Sequence, residues 1–403
     1  MTDRTRSVFL NGDRIGSMHF RGTLTVFEFD ESYQNDPDRS VLGQQFEEDP
    51  RAQWRQSARA PVWFANLLPE KGPMLDFIAR ELGVNPRNEA GLLAELGDDL
   101  PGGLGLGVST EAPPDYGPSL VRSSALHGDS RPQVRFSVAG VQLKLSMLDL
   151  GNTLRLAGEG ELGGHYVKFP GEYDGVPENE YCMMQLANRC GILTPNNRLL
   201  AVAELGALPR GFDRFGNRNA YVVERFDRTE SGRIHIEDFC QVVGNWPEGK
   251  YEGASYEGLG EMVLRTCGES DFLDYVRRIA FNMVIGNEDA HLKNWSLWYP
   301  DRRQPRLSPA YDLVSTVVYP NLDRGTGLRI GGKHSAQRVS LETFTGIAER
   351  AGASGVSVRD TVSDLVQRYR LHADEARDLH WLDEEKWRVL ADYQNSIPLF
   401  SEV

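Results

Sequence analysis

The hydrophobic period of this chain changes along its length, and that change restricts the fold more than any single motif does. In the first part, apolar residues mostly alternate with polar ones in short runs; from about Ile236 onward they recur at helical spacing. SVFLNGDRIGSMHF reads as two strands joined at Asn11-Gly12, the dipeptide suited to a primed hairpin turn, and TLTVFEFD continues the sheet. PVWFANLLPEKGPMLDFIARELGV departs locally to helical spacing. There Leu75, Ile78, Ala79 and Leu82 share a face, Gly83 supplies the stop, and NEAGLLAELG adds a second helical piece.

Residues 108–133 are rich in Ser, Pro and Gly and carry no sustained period, which predicts a linker or exposed loop. RFSVAGVQLKLSML, NTLRLAG and HYVKFP then follow as three strand patterns in close succession, as in an antiparallel sheet. NEYCMMQLANRCGI reads as a helix with Tyr181, Met184, Leu186 and Ala187 available for its core face and Gly191 as its stop. After the strand NAYVVERFDRT the helices take over. DFLDYVRRIAFNMVIGN places apolar residues at 272, 276, 279, 280, 283 and 284, and VRDTVSDLVQRYRL does so with Val358, Val362, Leu365, Val366 and Tyr369. Strands first and helices afterwards give an α+β arrangement of two lobes, which is the outline of a protein kinase.

With 403 residues the chain exceeds what one core usually serves, so more than one domain is expected. Hydrophobic residues at 40% and charged residues at 25% suit a globular protein, and no run of eighteen apolar residues could span a bilayer. MTDRTRSVFLNGDR lacks the apolar stretch of a secretory signal, so a cytoplasmic location is expected. Cys182, Cys190, Cys240 and Cys267 show no C-x-x-C spacing and read as reduced core thiols. The net charge of −14 argues against a direct electrostatic footprint on nucleic acid; a DNA role would need a basic partner.

FNMVIGNEDAHLKNWSLWYP carries more polarity than a turn between helix and strand requires, since Gly286 and Asn287 would suffice to turn the chain. Asp289 precedes Asn294 by five residues, the spacing of the catalytic aspartate and metal-binding asparagine in a kinase loop. That spacing is common by chance and also fits a solvated turn. Its context raises it: an amphipathic helix precedes, a strand pattern follows, and Asp312 stands 18 residues after Asn294. Asp289 would be the base or hydroxyl-orienting group, with Asn294 and Asp312 holding Mg²⁺. Lys168 in HYVKFP is the candidate ATP lysine, about as readily an ordinary exposed strand lysine, and Glu178 or Glu180 could pair with it or simply favour a helix N-terminus. FSVAGVQLKLS has one glycine where a protein kinase has three, yet backbone amides around Ala139 to Lys144 could cradle phosphate. YVVERFD would meet adenine through its main chain, or be an edge strand and turn.

Taken in order, SVAGVQLK, YVKFP, ENEYCMMQLANRCGI, YVVERFDR, IEDFCQ, NEDAHLKNWSL, SPAYDLVST and LRIGG resemble the HipA family of serine/threonine kinase toxins; NLLPEKG and LLAELGDDLPGGL resemble that family's small accessory domain. The resemblance implies a two-lobed protein-kinase-like α+β fold with a small N-terminal α/β domain. Residues 1–107 would be the accessory domain, 108–133 the linker, 134–230 the N-lobe region and 231–403 the mainly helical C-lobe.

Residue by residue, it implies that Asp289 is catalytic, that Asn294 and Asp312 bind Mg²⁺, and that Lys168 contacts ATP. Ala139, Gly140, Val141, Gln142, Leu143 and Lys144, with Glu224, Arg225 and Phe226, would line the nucleotide, as would His291, Leu292, Lys293, Asn294, Tyr311 and Asp312. Ser137 matches a serine that such kinases autophosphorylate, silencing themselves; a dianionic group in a phosphate loop repels ATP and competes for its amides. Leu143 departs from the pattern, where a polar residue would be expected. Similar proteins phosphorylate a protein substrate such as an aminoacyl-tRNA synthetase and bind a small helix-turn-helix antitoxin dimer that reads operator DNA. Two other readings remain: a small-molecule phosphotransferase of kinase-like fold, or an inactive corepressor held on DNA by its antitoxin.

Overall fold

The computed structural model describes residues 4–97, 100–107, 143–151, 153–157, 161–320 and 325–403. The linker at 108–133, Ser137 and the phosphate-loop residues Ala139, Gly140, Val141 and Gln142 lie outside the described residues. The chain divides into two compact units built from non-consecutive pieces: Met1–Phe169 with Leu200–Glu248 and Trp298–Gln304, and Pro170–Leu199 with Gly249–Leu297 and Pro305–Val403.

The first unit holds most of the strands. β1 (Arg4–Leu10), β2 (Asp13–Arg21), β3 (Leu24–Phe29), β4 (Trp54–Ser57) and β5 (Leu104–Gly107) form a sheet in the order β4-β3-β2-β1-β5. The β1–β2 turn is the expected primed hairpin: Asn11 and Gly12 both have positive φ, 53° and 93°, which matches the twist of the flanking strands. The helix Pro73–Leu82 opens on a proline at its first turn, where no intrahelical N–H is needed, and ends on left-handed Gly83. Leu75, Ile78 and Ala79 are buried on its predicted face.

A second antiparallel sheet contains β6 (Lys144–Asp149), β7 (Leu154–Leu156), β8 (His165–Lys168), β9 (Asn197–Ala201) and β10 (Asn219–Glu224), ordered β7-β6-β8-β10-β9. One apolar core runs through both sheets, from Val8, Phe27 and Trp63 to Leu145, Val167, Phe169 and Val222. Buried polar residues join the same core. The His235 ring lies between those of Trp63 and Tyr299, at centroid distances of 6.1 and 5.7 Å. The Glu237 carboxylate accepts from Trp63 Nε1 at 3.1 Å, Tyr299 OH at 2.5 Å and the Gln44 amide at 2.9 Å.

The second unit is helical. Gly355–Asp378 packs on Glu269–Val284, Leu341–Ala351 and Val176–Arg189, while Tyr256–Cys267 packs on Leu341–Ala351 and Glu269–Val284. The apolar positions predicted for Glu269–Val284 and Gly355–Asp378 are all buried. Val176–Arg189 buries most of the expected face and some polar residues besides. Met184, Leu186 and Ala187 are buried, but Tyr181 is only partly so, edge-on to Trp381 at 5.7 Å. Asn179 and Glu180 take interior places instead, and Asn179 exchanges hydrogen bonds with the Ser315 backbone at 2.9 and 3.0 Å. Hydrogen bonding makes that polar burial affordable.

All four cysteines are free thiols; three are buried and Cys267 is partly so, with burial pushing Cys190 and Cys267 up to about 12. No helix among the described residues is long and apolar enough to cross a membrane.

Candidate active site

In the second unit the helix Glu269–Val284 ends at Gly286, whose φ of 62° makes the turn. A Cβ there would stand 2.4 Å from Val317 Cγ2, so glycine is required by space as well as by backbone angle. The Gly286 carbonyl accepts from the amides of Thr316 and Val317 at 3.1 and 3.2 Å and from Thr316 Oγ1 at 3.1 Å. Thr316 Oγ1 in turn accepts from the Glu288 amide at 2.8 Å. Asn287 donates to Asn282 Oδ1 at 2.8 Å and to the Asp312 carbonyl at 3.4 Å, and accepts from the Asp289 amide at 3.1 Å. The three residues before Asp289 are therefore stapled to Asp312 and to Thr316 and Val317 beyond it.

This lacing brings Asn294 and Asp312 together. Asn294 Nδ2 donates to Asp312 Oδ2 at 3.1 Å, while its Oδ1 accepts from the His291 amide at 3.0 Å. Asp312 has φ 55°, a conformation costing a non-glycine residue on the order of 1–3 kcal/mol. Such backbone strain persists where the surroundings fix it, and it aims this carboxylate at Asn294. A small cleft here is lined by Arg278, Asn282, Asn287, Asn294, Tyr311 and Asp312 on its polar side and by Ala290, Trp295, Ala310 and Leu313 on its apolar side. Tyr311 OH donates to the Lys293 carbonyl at 3.1 Å and shares a 2.6 Å bond with Ser296 Oγ.

Asp289 is exposed, and Tyr251 OH donates to its Oδ1. His291 and Lys293 are buried. Burial above all, with the Lys250 and Lys293 ammonium groups beside it, holds the His291 imidazole down to about 3, so the ring is neutral at neutral pH. Leu292 is fully buried and its amide donates to the Lys250 carbonyl at 3.0 Å. What Leu292 can offer a nucleotide is thus its backbone.

Asn294 and Asp312 supply two hard oxygen donors, one of them anionic, which is a Mg²⁺-like set when phosphate and water complete the shell. Among the described residues no cluster of three or more His, Cys, Asp or Glu could hold a metal with protein ligands alone. The donor set fits a magnesium ion brought in with a nucleotide.

In the first unit Lys168 is only 5% exposed, so it is not the ordinary surface lysine that a strand commonly carries. It lies in register between Lys144 of β6 and Tyr221 of β10, with Nζ 5.7 Å from the Tyr221 ring centroid. Leu143 packs against the apolar core and its carbonyl accepts from the Phe169 amide at 2.9 Å, which explains an apolar residue where a polar one was expected. Glu224 is exposed and Phe226 half-buried, edge-on to Trp298 at 6.3 Å. The Arg225 side chain is unavailable to a nucleotide: it is buried in bonds to Asp227 at 3.0 and 2.8 Å and to Ser146 Oγ at 3.1 Å. Its amide donates to the Gly164 carbonyl at 2.9 Å.

Glu178 and Glu180 both open the helix Val176–Arg189, and Glu180 is 2% exposed. They belong to the second unit and Lys168 to the first. Sequence reasoning missed Tyr251, Asn287 and Thr316. Asn287 was visible as part of NEDAHLKN, whereas Tyr251 lies 38 residues before Asp289 with no local pattern to mark it.

The HipA-like C-terminal domain matches residues 136–373 and the HipA N-terminal domain residues 6–106. The chain belongs to the HipA family. A Sinorhizobium fredii relative named "Putative kinase Y4dM" is 38% identical over 376 residues, 90% of each chain. The serine/threonine-protein kinase toxin HipA of Shewanella oneidensis is 26% identical over 382 residues, 85% of this chain and 83% of that one. A solved Shewanella oneidensis complex of HipA, HipB and operator DNA aligns over 99% of both chains, with a TM-score of 0.74 at 22% identity. This HipA-family chain therefore has the expected α+β fold, down to the N-terminal domain.

Proposed function

We propose that this HipA-family protein is an ATP- and Mg²⁺-dependent serine/threonine-protein kinase that acts as the toxin of a toxin–antitoxin pair. The observation that carries the reading is the 3.1 Å contact between Asn294 and strained Asp312, on a turn stapled to the one bearing Asp289. A solvated turn needs neither the strain nor the lacing. The names of the relatives point the same way.

In this reading residues 1–107 are the accessory domain, 134–230 the N-lobe region and 231–403 the C-lobe. Asp289 orients the acceptor hydroxyl and takes its proton, and Lys168 holds the nucleotide phosphates. Asn294 and Asp312 would hold Mg²⁺, which neutralises charge on the transferring phosphoryl group when bound. Main-chain groups of residues 139–144 and 224–226 contribute nucleotide contacts, as do Tyr311 and residues 291–294. Autophosphorylation of Ser137 would place a dianion in the phosphate loop and stop turnover. A small helix-turn-helix antitoxin is the partner, the operator is met through it, and the substrate is a protein hydroxyl, an aminoacyl-tRNA synthetase being the family's example.

The test incubates dephosphorylated protein with Mg²⁺ and labelled ATP, beside Asp289→Asn, and follows the Ser137 peptide by mass spectrometry. Phosphate on Ser137 in the parent alone is the expected result. No transfer and no ATP binding by the parent would favour an inactive corepressor.

A further inference from the structure

The structure assigns Tyr251 as the residue that positions Asp289, a role resting on the kinase reading above. Its hydroxyl donates to Asp289 Oδ1, although Tyr251 is 41% exposed and Asp289 is also at the surface. A hydrogen bond between two solvated groups adds little to stability, because water offers both partners an equivalent. The contact is nevertheless held from several sides. The Lys250 carbonyl accepts from the Leu292 amide at 3.0 Å, lacing the main chain beside Tyr251 to the main chain beside Asp289. The Tyr251 ring meets the His291 ring edge-on at 5.1 Å, and Lys250 Nζ lies 5.5 Å from the Tyr251 centroid. One residue further on, the Ala290 carbonyl accepts from the buried Tyr256 OH at 3.2 Å.

An exposed aspartate on a turn samples several rotamers, and a base that must meet a hydroxyl within hydrogen-bond reach loses rate in each wrong one. The phenol fixes one oxygen of the carboxylate and thereby sets where Oδ2 meets the acceptor hydroxyl. Tyr251 is a positioning residue: no bond to phosphorus or to the acceptor is made through it.

The experiment compares parent, Tyr251→Phe and Asp289→Asn in steady-state transfer of the ATP γ-phosphate to a Ser137-containing peptide, and measures Mg·ATP affinity directly. Tyr251→Phe keeps the ring against His291 and removes only the hydroxyl. The expected result is a fall in kcat of about tenfold with ATP affinity and acceptor KM unchanged. An unchanged kcat in an active Tyr251→Phe would overturn the assignment and leave the kinase reading intact. A faster variant with lower acceptor KM would also overturn it, since the phenol would then be competing with the acceptor. An inactive parent would sink the kinase reading and this assignment together.

Discussion

Glu237 has no route to water, and its three donors do not fully replace the hydration it has lost. Burial pushes its carboxyl up to about 7 despite Tyr299, Trp63 and the Gln44 amide, with Asp238 adding repulsion. Between about pH 4.5 and 7 the folded state therefore holds a proton that the unfolded state has released, and this group's contribution to stability falls as pH rises. His235, two residues away on the same aromatic rings, is held down to about 4 by burial. Its contribution runs the opposite way, rising between about pH 4 and 6.5, so the two largely cancel in the parent. Glu237→Gln removes one of the pair. Urea midpoints at pH 5 and 7.5 should show the variant gaining on the parent as pH rises, by up to about 3 kcal/mol; a constant gap would mean that Glu237 stays ionised throughout. None of this was legible in RIHIEDFCQ, because the donors lie 62, 174 and 193 residues away in sequence. That Asn294 and Asp312 would meet was legible in their short spacing, whereas the buried bonds of Arg225 are invisible in YVVERFD.

At the scale of elements, the helix ahead of the Asp289 turn depends on how it ends. Gly286 and Gly83 both stop helices with similar φ, 62° and 65°, but their surroundings differ. A Cβ at Gly286 would press on Val317 and, at 3.0 Å, on Tyr393, while at Gly83 it would meet nothing within 4 Å. Gly83→Ala should cost about 1–2 kcal/mol from backbone strain alone. Gly286→Ala should cost roughly 2–4 kcal/mol, because overpacking adds to the strain, and should also lower phosphoryl transfer by disturbing the Gly286 bonds to Thr316 and Val317. Chemical denaturation of the two variants distinguishes these cases; equal losses would mean that Val317 and Tyr393 give way freely. The helices and strands themselves were readable from period and stop signals, since an amphipathic stripe records its own burial. On Val176–Arg189 the apolar residues Met184, Leu186 and Ala187 were readable, but the burial of Asn179 was not, because its hydrogen-bond partner Ser315 lies 136 residues on and no local period reports a partner at that distance.

For the whole molecule the decisive quantity is charge. With 44 basic and 58 acidic residues, 44 − 58 gives −14, and a chain so acidic is repelled by duplex DNA unless its basic residues gather on one face. Binding to phosphates shows itself through counterion release: the logarithm of the association constant falls with the logarithm of salt by about 0.9 per phosphate neutralised. If DNA is met only through the antitoxin, the chain alone should leave an operator duplex unshifted at about 150 mM salt. Adding it to a co-purifying helix-turn-helix partner should leave the partner's salt slope within about one unit of its own value, while dissociation slows through tighter dimer assembly. Gel shift across a salt series reads both quantities. A chain that shifts DNA by itself, or steepens the slope by more than about two phosphates' worth, would carry a basic surface of its own, and the division of labour between acidic kinase and basic reader would fail.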